Sequence, residues 1–479
     1  MTDIVIKQVA VYAENCIVEP VSMVIQPGKP MTLVGETGSG KSLFAQAIMG
    51  ALPEGLYATG TVEIDGQHYD LQTDLHRLRM LWGHRIASLP QEPWLALDPT
   101  MRVSAQVEEG YRYVRGLPRH DAKQAAAHAL EHLGLSHASA RFPWQLSGGM
   151  AQRVCFAAAR AGGATFLIAD EPTKGLDIAR RDEMGRMLNT AVARGETLLT
   201  ITHDIALARQ LGGDVMVMYK GKVIEQGSAG LVLNHPQAPY TRELLAAEPH
   251  AWPTVSRETC DETIVLQAEG LSLKRSGKQL FNNVSLTFRA GEIIGLYGES
   301  GCGKSSLGDT LCGLIKPDAG TVKRPGNINK LRYQKLYQDP SAIFPPDILM
   351  AQVIDDVLHL HRATVQRRDE LMSQLGLAHD LLSRPASGLS GGELQRFSLL
   401  RVMLLDPVFL FADEPTSRLD PVVQQQTLAL LSELAIKQRC AILLVSHDLA
   451  LLEKSAHRVI SLVSLNQDFA AAQVASALT

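Results

Sequence analysis

The chain has 479 residues, of which 46% are apolar and 20% charged, and its formal net charge is −4. That composition allows two or three globular domains with sizeable cores, and with no run of five Lys or Arg it argues against a dedicated nucleic-acid or anionic-membrane surface. The six cysteines (Cys16, Cys155, Cys260, Cys302, Cys312, Cys440) form no CxxC pair, so no disulfide framework, zinc site or iron–sulfur site is expected and a reducing cytosol is the natural setting.

At the N-terminus, "MTDIVIKQVAVYAENC" lacks a basic segment followed by a long apolar core, so no signal peptide is expected. Nowhere do about eighteen apolar residues run together. "KPMTLVG" reads as a buried strand and "KSLFAQAIMG" as a helix. Between them lies "GETGSGKS": Gly35, Glu36, Thr37, Gly38, Ser39, Gly40, Lys41 and Ser42. A glycine-rich loop between strand and helix can wrap a phosphate, because its N–H groups converge and the helix start adds positive potential. Lys41 would reach the β- and γ-phosphates of ATP, and Ser42 would place a hydroxyl on Mg²⁺. Gln91, in "LPQEP", can reach Mg²⁺ and the attacking water through its amide.

Further on, "LSGGMAQR" supplies Ser147, Gly148 and Gly149 at a helix start, a second place that suits a phosphate. "TFLIAD" is a continuous apolar run, as a central parallel strand needs, and it ends in Asp170 and Glu171. Asp170 would hold Mg²⁺ through water, and Glu171 would act as general base on the attacking water. After "TLLTIT", a neutral His203 could contact the γ-phosphate and orient that water. The remaining histidines lack metal-ligand spacing and read as surface residues. "HPQAPYTRELLAA" (His235–Ala247) then reads as a linker that runs into a short helix.

The series repeats 263 residues later. "GESGCGKS" holds Gly298, Glu299, Ser300, Gly301, Cys302, Gly303, Lys304 and Ser305. It is followed by Gln338, by Ser390, Gly391 and Gly392 in "LSGGELQR", by Asp413 and Glu414, and by His447. The signature serine and the glutamate are 24 residues apart in both copies. From lysine to glutamine is 50 residues in the first copy and 34 in the second, so the second copy is trimmed there. Cys302 stands where the first loop has Ser39 and reads as a small tolerated side chain.

Together these residues resemble the ATP-binding cassette (ABC) ATPases, twice and over nearly the whole chain. The resemblance implies an α/β fold: two tandem P-loop NTPase cassettes, each a RecA-like core with an antiparallel β-subdomain and a helical subdomain. The expected layout is a first domain over 1–249, a linker over 250–262 and a second domain over 263–479. One unit with two phosphate grips is a puzzle that the family resolves, because its "LSGG" segment serves the nucleotide held by the opposite cassette. The implied first site is Gly35–Ser42, Gln91, Asp170, Glu171 and His203 with Ser390, Gly391 and Gly392. The second is Gly298–Ser305, Gln338, Asp413, Glu414 and His447 with Ser147, Gly148 and Gly149. Asp177 and Asp420 match the loop that crosses between cassettes. Tyr12 looks like the aromatic residue that stacks on adenine; the same offset in the second copy gives Arg275, a departure from the pattern.

Three classes of ABC machine compete. DNA-repair cassettes carry cysteine pairs or long coiled coils, and translation-factor types usually carry a long charged helical linker; this chain has neither. An importer ATPase is the leading reading, with a soluble tandem-ABC translation or ribosome factor, or the fused ATPase of another ABC transporter class, as the alternative. "QEPWLALDP", "WQLSGGMAQRV" and above all "HPQAPYTREL" look like the bacterial peptide/nickel importer family, whose "HPYT" segment follows the cassette core. The resemblance implies ATP and Mg²⁺ as cofactors, two integral-membrane permease subunits as partners, an indirect solute-binding partner, and a peripheral place on the cytoplasmic face of the membrane. Cargo would be peptides, nickel or a metal–chelator complex. Trp94, Leu95 and Ile343–Pro346 are expected to cradle short permease helices. The second half lacks an HPYT segment.

Overall fold

The computed structural model describes residues 2–253, 262–275, 277–299, 301–326, 328–417 and 419–462. The chain divides into two compact units, Met1–Ala246 and Ala247–Thr479.

Unit 1 contains β1 (Ile4–Tyr12), β2 (Cys16–Ile25), β3 (Met31–Val34), β4 (Tyr57–Ile64), β5 (Gln67–Asp70), β6 (Ile86–Leu89), β7 (Phe166–Asp170), β8 (Thr197–Thr202), β9 (Asp214–Tyr219) and β10 (Lys222–Ser228). An antiparallel sheet has the order β2-β1-β4-β5, and a six-stranded sheet has the order β10-β9-β3-β8-β7-β6. In the second sheet β9 and β10 pair antiparallel and the other pairs are parallel.

Two sequence patterns separate these sheets. In β7 and β8, "FLIAD" and "TLLTIT" are buried along nearly their whole length, as strands covered on both faces require. In β2, Val18, Val21, Met23 and Ile25 are buried while residues between them are exposed, the period-2 signature of a sheet with one wet face. The inner face of the antiparallel sheet joins one apolar cluster with Phe44 and Ile48 of the helix Lys41–Met49. A separate cluster holds the helices Val103–Glu109, Arg119–His132 and Gly148–Ala161 through Val107, Leu130 and Val154.

The parallel registers bring the strand ends level. Val34 of β3 faces Thr202 of β8, Asp170 of β7 faces Ile201, and Leu89 of β6 faces Ala169. The residues that follow these positions therefore emerge along one edge, where ligands of parallel α/β sheets bind.

Unit 2 repeats the plan with β11 (Ile264–Arg275), β12 (Lys278–Arg289), β13 (Ile293–Tyr297), β14 (Ala319–Lys323), β15 (Tyr333–Leu336), β16 (Phe409–Asp413), β17 (Ala441–Val445) and β18 (Arg458–Ser461). Its antiparallel sheet is β12-β11-β14 and its parallel sheet is β15-β16-β17-β13-β18. One strand, β14, stands where unit 1 has the hairpin β4–β5, and the lack of a second hairpin strand and of a match to the helix Leu75–Arg79 among the described residues shortens the lysine-to-glutamine spacing. The tail "FAAAQVASALT" lies outside the described residues.

The expected linker begins at 250, yet Trp252 belongs structurally to unit 2. It is 7% exposed and shares an apolar cluster with Ile293, Leu451 and Ala456. Its indole N–H donates to the Ala247 carbonyl at 3.0 Å. An indole with its N–H satisfied is a large apolar contribution to a core. Trp252→Ala should destabilise unit 2 by about 3–5 kcal/mol, the usual cost of truncating a buried Trp. Hydrogen–deuterium exchange of the full chain should then show lost protection in β13 and β17, with β3 and β8 unchanged. Equal loss in both units would contradict this.

Candidate functional site

In unit 1 the loop Gly35–Gly40 leads from β3 into the helix that starts at Lys41. Gly40 has φ 95°, and a Cβ there would stand 2.7 Å from Val18 Cγ2. Only glycine fits a left-handed turn pressed against β2 in this way. Lys41 is 5% exposed; its ammonium donates to the Gly35 carbonyl (2.8 Å), the Glu36 carbonyl (2.7 Å) and Ser39 Oγ (3.2 Å). The Ser42 hydroxyl donates to Asp170 Oδ1 at 3.0 Å. Glu171, next in sequence, has φ 47°, and its N–H donates to the Ile201 carbonyl at 2.8 Å. The sharp turn aims its carboxylate across β8: Oε2 lies 2.9 Å from His203 Nδ1 and accepts from Thr202 Oγ1 at 3.3 Å. Gln91 is half-buried just beyond β6.

Unit 2 builds the same group. Lys304 donates to the Gly298 and Glu299 carbonyls at 2.6 and 2.9 Å, and Ser305 donates to Asp413 Oδ1 at 3.1 Å. Gly303 has φ 108° and packs against Leu280. Glu414 again has φ 47°. Its carboxylate meets His447 Nε2 at 2.5 Å and accepts from Gln338 Nε2 at 2.9 Å. Gly301 and Cys302 lie in the loop, while Ser300 lies outside the described residues. One feature has no counterpart in unit 1. Lys335 of β15 is largely buried, 2.7 Å from Asp309 Oδ1 and 3.7 Å from Asp413 Oδ2. Counting from the loop lysines and the glutamines, the first copy has Gln46 and Ser88 at those places.

Ser147 and Ser390 are the N-caps of the helices Gly148–Ala161 and Gly391–Met403, accepting from Met150 N (3.4 Å) and Glu393 N (3.3 Å). Gly149 and Gly392 follow in each first turn. The second helix adds a capping box: Glu393 Oε2 accepts from Ser390 N and Oγ, both at 2.7 Å. The first copy has Met150 there. Asp177 and Asp420 are also N-caps, accepting from Arg180 N and Val423 N at 3.0 Å. Tyr12 sits where β1 turns into β2, stacked on Tyr57 with centroids 5.3 Å apart. Arg275 occupies the matching hairpin turn of β11 and β12.

Sequence reasoning did not single out Thr202, Tyr57 or Lys335. Thr202 carries a signal in "ITHD", where it is the last strand residue before His203. Tyr57 and Lys335 carry none that spacing could expose. One expected surface is corrected: within Ile343–Pro346, Phe344 is 3% exposed and part of the unit 2 core. Pro345 and Pro346 are exposed. Trp94 and Leu95 are 43% and 85% exposed.

The electrostatics of both units suit a metal–phosphate ligand. Burial pushes the Asp170 carboxyl above its usual range; the Ser42 hydrogen bond opposes this and the charge of Glu171 adds to it. Asp413 is raised for the same first reason, against the pull of Ser305 and Lys335. Buried carboxylates held beside a serine hydroxyl fit a hard cation. Among the described residues no cluster of three or more His, Cys, Asp or Glu could hold a metal alone. Mg²⁺ bound through one or two protein groups, with phosphate oxygens completing its shell, matches that donor set. Burial also opposes charge on Glu171 and on His203. Their mutual attraction and hydrogen bond outweigh it, lowering the carboxyl and raising the imidazole.

A family model described as ABC transporter matches residues 18–174 and 281–417. A protein of Escherichia coli (strain K12), described as uncharacterized ABC transporter ATP-binding protein YejF, is 35% identical; the match covers 93% of this chain and 90% of that protein. The peptidoglycan transport ATP-binding protein YejF of Agrobacterium fabrum is 33% identical, covering 94% and 88%. The glutathione import ATP-binding protein GsiA of Escherichia coli O157:H7 is 31% identical, covering 92% and 81%. Among solved structures, RNase-L Inhibitor has a TM-score of 0.65 at 21% identity, covering 94% of this chain and 87% of that one. This last likeness is one of fold.

The His203–Glu171 pair sets a pH dependence. Its raised imidazole contributes stability that is complete below the free value and lost as pH rises through the raised one. Its lowered carboxylate contributes stability above the ordinary carboxylate range, lost as pH falls through the lowered value. In the nucleotide-free chain, side-chain ¹⁵N shifts should place the His203 midpoint above 6.5, and Glu171→Gln should lower it. An unmoved midpoint would show that the pair does not form.

Proposed function

The chain belongs to the ABC transporter family, with two ATP-binding cassettes in one polypeptide, and on that premise we propose that it is the ATP-hydrolysing subunit of an importer for peptide-containing solutes. The observation that carries this reading is the similarity over more than nine-tenths of the chain to ATP-binding proteins whose names specify peptidoglycan transport and glutathione import. The fold likeness to RNase-L Inhibitor, at 21% identity, does not outweigh it. Among the described residues no helix is long and apolar enough to cross a membrane, so separate permease subunits would form the path, fed by a solute-binding protein. Trp94 and Leu95 are suited to touch those permeases. Nickel and metal chelates are the competing cargoes of the same importer family.

Each cassette would hold one ATP. The loop N–H groups and Lys41 or Lys304 grip the phosphates. Ser42 with Asp170, and Ser305 with Asp413, would hold Mg²⁺, with Gln91 and Gln338 nearby; the ion supplies charge neutralisation at the phosphates. Glu171 and Glu414 take a proton from the attacking water, and His203 and His447 orient that water against the γ-phosphate. As the family resemblance implies, Ser390–Gly392 and Ser147–Gly149 would each serve the nucleotide of the opposite cassette. Supplying both cassettes in one chain raises their effective concentration.

Glu171→Gln and Glu414→Gln, made separately, should each remove about half or more of ATP turnover, because each deletes one general base. Full activity in either variant would mean that its site does not hydrolyse. Trp94→Ala should lower transport into vesicles containing the permeases while ATP affinity is retained. Transport assays with short peptides, glutathione, nickel and a nickel chelate test the cargo. Uptake of nickel alone, or recovery of the chain with ribosomes and no permease, would overturn the peptide-importer reading.

A further inference from the structure

The segment that follows the first cassette core returns to its phosphate loop. Tyr240, 204 residues from Glu36, accepts the Glu36 N–H on its hydroxyl oxygen at 2.9 Å. Glu36 is the second residue of "GETGSGKS", and its carbonyl accepts from Lys41 Nζ at 2.7 Å. The peptide group before the Glu36 Cα is thus held by Tyr240 through its N–H and by Lys41 through the Gly35 carbonyl, and the one after it by Lys41 alone. The tyrosine is itself fixed. It is 8% exposed in the helix Pro239–Ala246, and its ring stacks on Tyr219 with centroids 4.2 Å apart and planes at 26°. Tyr219 ends β9, the neighbour of β3, from which the loop departs. The entry to the helix is pinned by Glu225 of β10, whose carboxylate accepts from Gln237 N and Ala238 N at 2.7 and 3.0 Å.

Lys41 must exchange its carbonyl partners for phosphate oxygens when a nucleotide enters. The Gly35 and Glu36 carbonyls then lose the group that holds them, whereas the Tyr240 contact lies on the N–H side of Glu36 and does not have to break. A rigid aromatic side chain fixed by stacking makes a suitable brace. The contact is made to the phosphate loop of unit 1, the unit to which Tyr240 itself belongs.

We propose that Tyr240 is a positioning residue for the first phosphate loop, and that the segment after the cassette core thereby sets the ATP affinity of the first site alone. This rests on the nucleotide-site reading above. The bland alternative is that Tyr240 only docks the helix Pro239–Ala246, in which case its hydroxyl would matter for stability and not for one site.

The test uses the full chain in two backgrounds. Lys304→Ala leaves the first site as the binding site, and Lys41→Ala leaves the second. Trinitrophenyl-ATP is titrated by fluorescence, with unlabelled ATP as competitor. Tyr240→Phe keeps the stacked ring and removes only the hydroxyl. Loss of one neutral hydrogen bond should weaken nucleotide binding about fivefold in the Lys304→Ala background and leave the Lys41→Ala background unchanged. Unchanged affinity at the first site would overturn the inference, as would equal weakening at both sites, including through a lowered unfolding midpoint. If the parent Lys304→Ala chain binds no nucleotide at all, the nucleotide reading itself fails, and that outcome is separate from the effect of Tyr240.

Discussion

Everything at the two sites depends on the in-register parallel pairing of strands that are buried on both faces. Such a strand can expose chemistry only where it ends. β3, β8, β7 and β6 end level, so the loop from Gly35, the pair Asp170–Glu171, His203 and Gln91 emerge together although up to 168 residues separate them. The same pairing in β13, β17, β16 and β15 does this again in unit 2. A register slip of one residue in β7 would turn Asp170 away from Ser42, because alternate strand residues face opposite sides of the sheet.

Upon this shared frame the two copies differ in charge. Unit 2 places the Lys335 ammonium beside the carboxylate that pairs with Ser305, where unit 1 has neutral Gln46 and Ser88. A fixed cation beside a carboxylate competes with a mobile cation for it. The signature helix of unit 2 carries Glu393 against its N-cap serine, where the first copy has Met150. On the proposed function, a phosphate arriving at Ser390 would compete with that carboxylate for its hydroxyl. Sequences that look duplicated in their motifs therefore give electrostatically unequal halves, and the inequality lies in residues next to the motifs.

The sequence made the parallel core and most of the site legible for one reason: buried two-faced strands are continuous apolar runs, and the polar residues that end them are conspicuous. "TFLIAD" and "VFLFAD" locate β7 and β16 almost to the residue. Contacts made by backbone groups were not legible. A main-chain N–H is the same at nearly every position, so nothing in "GETG" marks Glu36 as the partner of Tyr240. The Pro249–Trp252 region misled for a related reason. Its prolines and polar residues read as linker, and the one large apolar residue that commits it to unit 2 is isolated, with no periodicity to reveal it. Phe344 reads as loop surface because its neighbours Pro345 and Pro346 do reach solvent.

Glu171 and Glu414 share one further property, a backbone φ of 47°. A side chain in the left-handed region is strained by roughly 1 kcal/mol or more, and glycine relieves that strain. Selection for heat resistance alone should therefore favour glycine at these two positions, while the proposed role as general base would hold glutamate there. On the proposed function, the sites most easily improved for folding are the ones where the improvement would end the chemistry, so a stabilised descendant of this chain should be checked first at residues 171 and 414.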